Sequence, residues 1–264
     1  MKLSSEALKN LTNDLIQWIK DSMVKNGGDK AVIGISGGKD SSVVAALCVR
    51  ALGKENVIGV LMPDGIQHDI SDSKEICKVL EIESIEVNIE EMTKSFLHAL
   101  KDIDKGLIPD VSKQTKLNLP PRVRMTLLYA ISQSIDKSRV INTSNISEDW
   151  IGYATIYGDT AGAFSPLGML TSDEVIQVGE FLEIPSKFII KKPSDGLTGK
   201  VDEEVFGFSY EVLNNYIREG ICEDEDIKEK IDSMHKYSRH KFLPIPMFNA
   251  ALPIKAQDIA NIYK

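Results

Sequence analysis

Cysteine is scarce: only Cys48, Cys77 and Cys222 occur, an odd number at wide spacing. That excludes a disulfide framework and a cysteine-based metal site, and it fits a reducing cytoplasm. Basic residues are in deficit, with 31 Lys and Arg against 39 Asp and Glu for a formal charge of −8. Proteins that grip a phosphate backbone draw affinity from Lys and Arg that release counterions, so nucleic acid is not an expected partner. Long apolar runs are missing too. No stretch approaches the roughly 20 apolar residues that span a bilayer, and "MKLSSEALKNLTNDLIQWIKDSM" lacks the continuous apolar core of a signal peptide. Neither export nor membrane insertion is expected, and the cytoplasm is the expected location. Repeats, heptads and low-complexity tracts are absent as well. What is present is ordinary for a globular protein, 42% hydrophobic and 27% charged residues over a length of 264. Residues 1–264 are expected to form a single α/β domain.

Leu8, Leu11, Leu15, Trp18 and Ile19 recur at helical spacing before Gly27 and Gly28, which predicts an amphipathic opening helix. "KAVIGIS", a β-branched apolar run, then leads through glycines into the helix-compatible "SSVVAALCVRAL". The alternation continues with the strand "NVIGVLMP", the helix "DSKEICKVLEI" entered through an Asp72/Glu75 capping pair, and the strand "SIEVNI". "EEMTKSFLHALKDI" reads as a helix, "DKGLIPDVSKQTKLNL" as an aperiodic loop, and Pro120-Pro121 as the start of the next helix. "RVINTSN" supplies one more strand and turn; residues 146 to 170 read mostly as loop, and Thr171 with Glu174 forms a capping box for a helix reaching about Glu183. Strands alternating with helices imply a doubly wound parallel sheet flanked by helices, followed by a helical C-terminal section. Ligands of such a fold bind beyond the carboxyl ends of the strands, where Ser36 and Thr143 fall.

The sharpest signal is "GISGGKDSS", Gly34 to Ser42, between a predicted strand and a predicted helix. Gly37 and Gly38 permit close backbone approach, and the following helix directs N–H groups and its positive dipole end at one point, so an anion is expected there. Ser36 and Ser41 add hydroxyl donors, Lys39 a positive charge, and Asp40 a carboxylate that can hold Mg²⁺ for a phosphate. A Walker A loop would need glycine where Ile33 stands and Ser or Thr where Asp40 stands; a dinucleotide G-x-G-x-x-G would need glycine at Ser36.

These residues resemble the N-type ATP pyrophosphatases, whose S-G-G-x-D-S loop binds ATP for cleavage between the α- and β-phosphates. Further blocks occur in order: "RVRM" from Arg122, "NTSNISE" from Asn142, "GYATIYGD" from Gly152, "SPLGMLTSDEV", "PSDGL", "DEEVFGFSY" and His240-Lys241. Together, from about residue 10 to Lys241, they resemble the ammonia-dependent NAD synthetases, which have the adenine nucleotide alpha hydrolase-like fold. The resemblance implies attack of a deamido-NAD carboxylate on the α-phosphorus of ATP, then displacement of AMP by ammonia. It implies ATP contacts from Gly34, Ile35, Ser36, Gly37, Gly38, Lys39, Asp40, Ser41, Thr143 and Ser194. It further implies Mg²⁺ ligation by Asp40 and Glu148, catalytic roles for Lys39 and Asp40, and deamido-NAD contacts from Arg122, Asp159, His240 and Lys241. A homodimer with substrate near the subunit interface is implied, and free ammonia or a separate ammonia-supplying protein is the expected nitrogen source. The carboxylate needs no general base, being ionised near neutral pH, so alignment and charge neutralisation dominate the first step.

Three positions depart from the family pattern: Ile156 replaces a dinucleotide-binding lysine, Ala163 a substrate-contacting aspartate, and Ser172 an ATP-contacting lysine. Besides amidation of deamido-NAD, two readings stay open at this point: a related amide ligase acting on another carboxylate, and a nucleotide-binding variant with impaired turnover.

Overall fold

The structure is a computed structural model that describes residues 2–108, 110–190, 202–248, 250 and 252–253. Helix α1 (Ser5–Lys25) precedes strand β1 (Lys30–Gly34), and α2 (Lys39–Leu52) follows directly from the glycine loop. Then come β2 (Val57–Leu61), α3 (Ile70–Val79), β3 (Glu83–Glu86), α4 (Glu90–Lys101), α5 (Lys113–Gln133) and β4 (Ser138–Val140). The remainder is helical: α6 (Ile146–Ile151), α7 (Ser172–Phe181), α8 (Ser186–Ile189), α9 (Asp202–Phe206), α10 (Tyr210–Glu219) and α11 (Glu225–Ser238).

All four strands are parallel, in the order β3-β2-β1-β4. The chain therefore builds outward from β1 through β2 to β3, then crosses to the other side of β1 to lay down β4. This reversal puts a topological switch point between β1 and β4, and open α/β sheets bind ligands at such a point, beyond the carboxyl ends of the strands.

Strand periodicity of two splits the apolar residues between two cores. Ala31 and Ile33 join a core with α1, α2, α7 and α8, whereas Val32 points the other way into a core with α5. Since both faces are covered, the strands read as unbroken apolar runs rather than alternating ones. Helix α2 is buried from Val43 to Cys48, as expected of a central helix without a polar face. Cys48 and Cys77 are packed inside, and burial pushes their thiols up to about 12 and about 11. Both behave as small hydrophobes, as their apolar helical settings predict. A separate cluster of Ile151, Phe206, Phe208, Tyr210, Leu213 and Ile231 holds the C-terminal helices together.

Three local expectations need correction. Helix α5 begins at Lys113, capped by the Ser112 hydroxyl accepting from the Thr115 N–H, so Pro120 and Pro121 lie inside it rather than at its start, and part of the expected loop is helical. Tertiary anchoring offsets the two missing backbone donors: the Thr155 hydroxyl donates to Asn118, Gly158 packs on Pro121, and Leu119 joins the core under β1 and β2. Helix α3 starts at Ile70 with Asp69 as N-cap, which leaves Asp72 in its first turn instead of capping it. Strand β3 ends at Glu86, and its four residues are exposed at the sheet edge. The Thr171/Glu174 capping box is present at the head of α7. No described helix is long and apolar enough to cross a membrane.

Candidate active site

The loop from Ile35 to Gly38 turns at the carboxyl end of β1, and its conformation depends on glycine. Gly37 has φ +77°, and a Cβ placed on it would lie 2.8 Å from the Ser73 backbone nitrogen, so α3 presses against the outside of the loop. Gly38 is the N-cap of α2 and brings no side chain to close the helix end. A first turn without a side-chain cap is a ready anion seat. Around it Ser36 and Ser41 bring their hydroxyl oxygens within 3.1 Å of each other, and the Ser36 hydroxyl accepts from the Gly38 N–H.

Charge is arranged beside this seat. Lys39 is buried, and its ammonium lies 2.8 Å from Asp40 Oδ2 and 3.8 Å from Glu148 Oε1. The Tyr210 ring covers that ammonium at 5.8 Å, at the outer range of a cation–π contact. Glu148 arrives from α6, which starts in the turn after β4, so the carboxyl ends of β1 and β4 deliver Asp40 and Glu148 to the same place. Thr143 sits in that turn, between Asn142 and Ser144. Asn142 organises the neighbouring segment: its amide donates to the carbonyls of Asp159 and Ala161 and accepts from Ser144 N–H and the Ser165 hydroxyl.

A second group of expected residues forms a rim on the segment 152–160. Lys241 donates to the carbonyls of Gly152 and Ala154, and burial lowers its ammonium pKa while nearby Asp159 opposes that shift. Asp159 accepts from the Thr155 N–H. Arg122 reaches from α5 to donate to the Ile156 carbonyl at 3.2 Å. A guanidinium thus stands against the residue where the family pattern has a lysine. His240 remains exposed, with Nδ1 against the Tyr237 carbonyl. Ser194 lies outside the described residues.

Several contributors are not among the site residues that the resemblance implies. Asn145, fully buried, contacts both Asp40 and Glu148; its place three residues before Glu148 is the spacing of an N-cap and an N3 residue, which was a usable clue. Ser172, at the position of a family lysine, is buried in a closed network. Its N–H donates to Ser147, its hydroxyl accepts from Asn214, and the Ser147 hydroxyl donates to Asn214. Position 172 thus joins α6, α7 and α10, and its side chain is committed to that packing. Asp149 sits between two opposing influences: burial and Asp159 push its carboxyl up to about 7, and Arg239 pulls it down.

Comparison with known proteins gives one consistent picture. The family model described as NAD synthase matches residues 11–249. The NH(3)-dependent NAD(+) synthetase of Thermococcus kodakarensis is 34% identical over 241 residues, which cover 86% of this chain and 92% of that protein. The glutamine-dependent NAD(+) synthetase of Thermotoga maritima is 38% identical over 83% of this chain, a match that spans 39% of its own length. Among solved structures, the NMN synthetase of Francisella tularensis superposes with a TM-score of 0.82 at 30% identity, covering 94% of this chain and all of that one. The NH3-dependent NAD synthetase of Campylobacter jejuni superposes at 0.73 with 28% identity, covering 92% and 99%.

Proposed function

This chain belongs to the NAD synthase family, and from that membership we infer ATP-dependent amidation of deamido-NAD by ammonia, through an acyl-adenylate, giving NAD, AMP and pyrophosphate. The observation that carries the mechanism is the meeting of Lys39, Asp40 and Glu148 beside the glycine loop at the switch point between β1 and β4. The first turn of α2 and the hydroxyls of Ser36 and Ser41 seat the phosphates of ATP. The buried Lys39 ammonium offsets charge that accumulates as pyrophosphate leaves. The substrate carboxylate attacks unaided by a base, so the chain's task is to hold it in line and limit the access of water. Arg122 and Lys241 on the rim give an anionic nucleotide its cationic contacts.

The donor set fits Mg²⁺. Among the described residues no cluster of three or more His, Cys, Asp or Glu forms a protein-only cage, and Mg²⁺ bound with nucleotides takes one or two carboxylates and completes its shell from phosphates and water. Asp40 and Glu148 are that pair, each partly exposed beside the glycine loop. Bound there, the cation would neutralise phosphate charge.

One observation favours a second reading of the substrate. The structure that superposes at 0.82 carries the name NMN synthetase, and Ile156 and Ala163 remove two charged groups that the resemblance assigns to dinucleotide contact. On that reading the mononucleotide acid is the carboxylate. Purified protein incubated with ATP, Mg²⁺ and ammonia is expected to release AMP and pyrophosphate with either acid, and kcat/KM ranks them. A preference of at least tenfold for deamido-NAD supports the first reading, and the reverse order supports the second. Release of ADP and phosphate would overturn both.

A further inference from the structure

We propose that Asn145 is a positioning residue that sets the spacing and orientation of the Asp40 and Glu148 carboxylates for the divalent cation. The inference rests on the reading of those two carboxylates as metal ligands, and it adds a residue to which the resemblance assigns no role. Asn145 is 0% exposed, and its side chain makes four hydrogen bonds. Oδ1 accepts from the backbone N–H groups of Ser147 and Glu148, at 3.0 and 3.2 Å. Nδ2 donates to Asp40 Oδ1 at 3.0 Å and to Glu148 Oε1 at 2.9 Å. The amide orientation follows from the partners, because the flipped form would set an NH₂ against two N–H donors and an oxygen against two carboxylates.

The physical consequence is a shared clamp. Asp40 comes from α2, after β1, and Glu148 from α6, after β4, so nothing local fixes their separation. Two like-charged carboxylates drawn toward one crevice repel. One neutral amide nitrogen donating to both holds them together without adding a charge that a cation would have to displace. The same residue caps α6 through its oxygen, so one side chain acts both on the helix that carries Glu148 and on the Glu148 carboxylate. The Lys39 ammonium also faces both carboxylates, at 2.8 Å from Asp40 Oδ2 and 3.8 Å from Glu148 Oε1, and Asn145 adds a neutral donor at hydrogen-bond distance from each. Residues that orient metal ligands in this way contribute about 10- to 100-fold in metal affinity.

The test separates metal binding from nucleotide binding and from folding. Asn145→Ser keeps an oxygen suited to the N-cap but loses the reach of the amide donors. With Mn²⁺ as the probe and a non-hydrolysable ATP analogue present, electron paramagnetic resonance titration is expected to show at least tenfold weaker Mn²⁺ binding. Binding of the analogue without metal should stay within twofold of wild type. In turnover, the Mg²⁺ concentration for half-maximal rate should rise by a similar factor while the rate at saturating Mg²⁺ recovers, a split that general damage to the fold would not produce. Unchanged Mn²⁺ affinity in a folded variant, or an equal loss in metal-free analogue binding, would overturn the proposal. If Asn145→Ser does not fold, Asn145→Asp decides: it keeps the cap, replaces the clamp with a third carboxylate, and should gain more thermal stability from Mn²⁺ than the wild type does. An Mn²⁺ shift no larger than the wild type's would overturn the proposal. Asp40→Asn run beside them distinguishes the two failures, since full Mn²⁺ affinity there sinks the ligand assignment itself, whereas its loss beside an unaffected Asn145 variant sinks only the clamp.

Discussion

Asp40→Asn is expected to lower the rate of adenylate formation by about a hundred- to a thousandfold, the range seen when a group that stabilises transition-state charge is removed. Asp40 lies in the first turn of α2, with one oxygen toward Lys39 and the other toward Asn145. The substitution keeps the side chain's shape and removes its charge. The amide nitrogen then faces either the Lys39 ammonium or the Asn145 NH₂, both donors, so at least one contact becomes repulsive. Lys39 then faces the more distant Glu148 at 3.8 Å. The loss of a first-turn carboxylate itself costs α2 only about 0.3–1 kcal/mol. The buried Lys39 ammonium, deprived of its nearest carboxylate, adds a stability cost of its own, so the signature expected of a residue working on ligands is a loss of rate in a variant that still folds. Single-turnover release of radiolabelled pyrophosphate, paired with a thermal melt, measures both. Wild-type turnover in the variant would remove Asp40 from the chemistry.

How much of this site could be read from the chain depends on where each contribution comes from. The glycine loop was legible because its chemistry is local: Gly34 to Ser42 bring the turn, the hydroxyls, the ammonium and the carboxylate within nine consecutive residues, and the flanking strand and helix have clear periods. The Thr171/Glu174 box was legible for the same reason. Asn145 was not, since its role appears only when β4 returns beside β1 and brings α6 against α2. Ser172 read as a missing cation, yet its partners Ser147 and Asn214 lie 25 and 42 positions away, and only their meeting shows the position filled by a polar network. Pro120-Pro121 misled in the opposite direction. A local rule placed a helix start there, and contacts to Thr155 and Gly158 carry the helix through both prolines. Sequence rules failed where tertiary contacts overruled a local preference.

Arg218→Met is expected to destabilise the fold by about 3 kcal/mol at neutral pH, the lower end of the cost of leaving a buried charge without its partner. Glu174 is 3% exposed, and Arg218 grips both its oxygens, Nε to Oε1 at 2.8 Å and Nη2 to Oε2 at 2.5 Å, while a further bond holds the Met169 carbonyl. The lower end applies because Arg218 itself is 26% exposed and part of its charge is solvated. The pH dependence follows from the carboxyl's balance. Burial alone would raise its pKa, but hydrogen bonds from Arg218 and from the Thr171 N–H outweigh burial and hold it below the ordinary glutamate value. A depressed carboxylate stabilises the folded state fully above its unfolded pKa, and that contribution fades as pH falls through the lower folded value. Without Arg218, burial dominates and the carboxyl rises, so the variant loses stability as pH climbs past the ordinary value. The gap between wild type and variant should therefore be wide at about pH 7.5 and narrow at about pH 3.5, on either side of the unperturbed glutamate pKa. Urea unfolding followed by circular dichroism at the two pH values measures it, and an equal gap at both would refute the assignment. The consequence reaches the catalytic centre, because Arg218 fastens the far end of the helix whose first residue, Tyr210, covers the Lys39 ammonium. Loss of that fastening should weaken ATP binding along with stability, which ties this ion pair between α7 and α10 to the ammonium proposed to meet the phosphates.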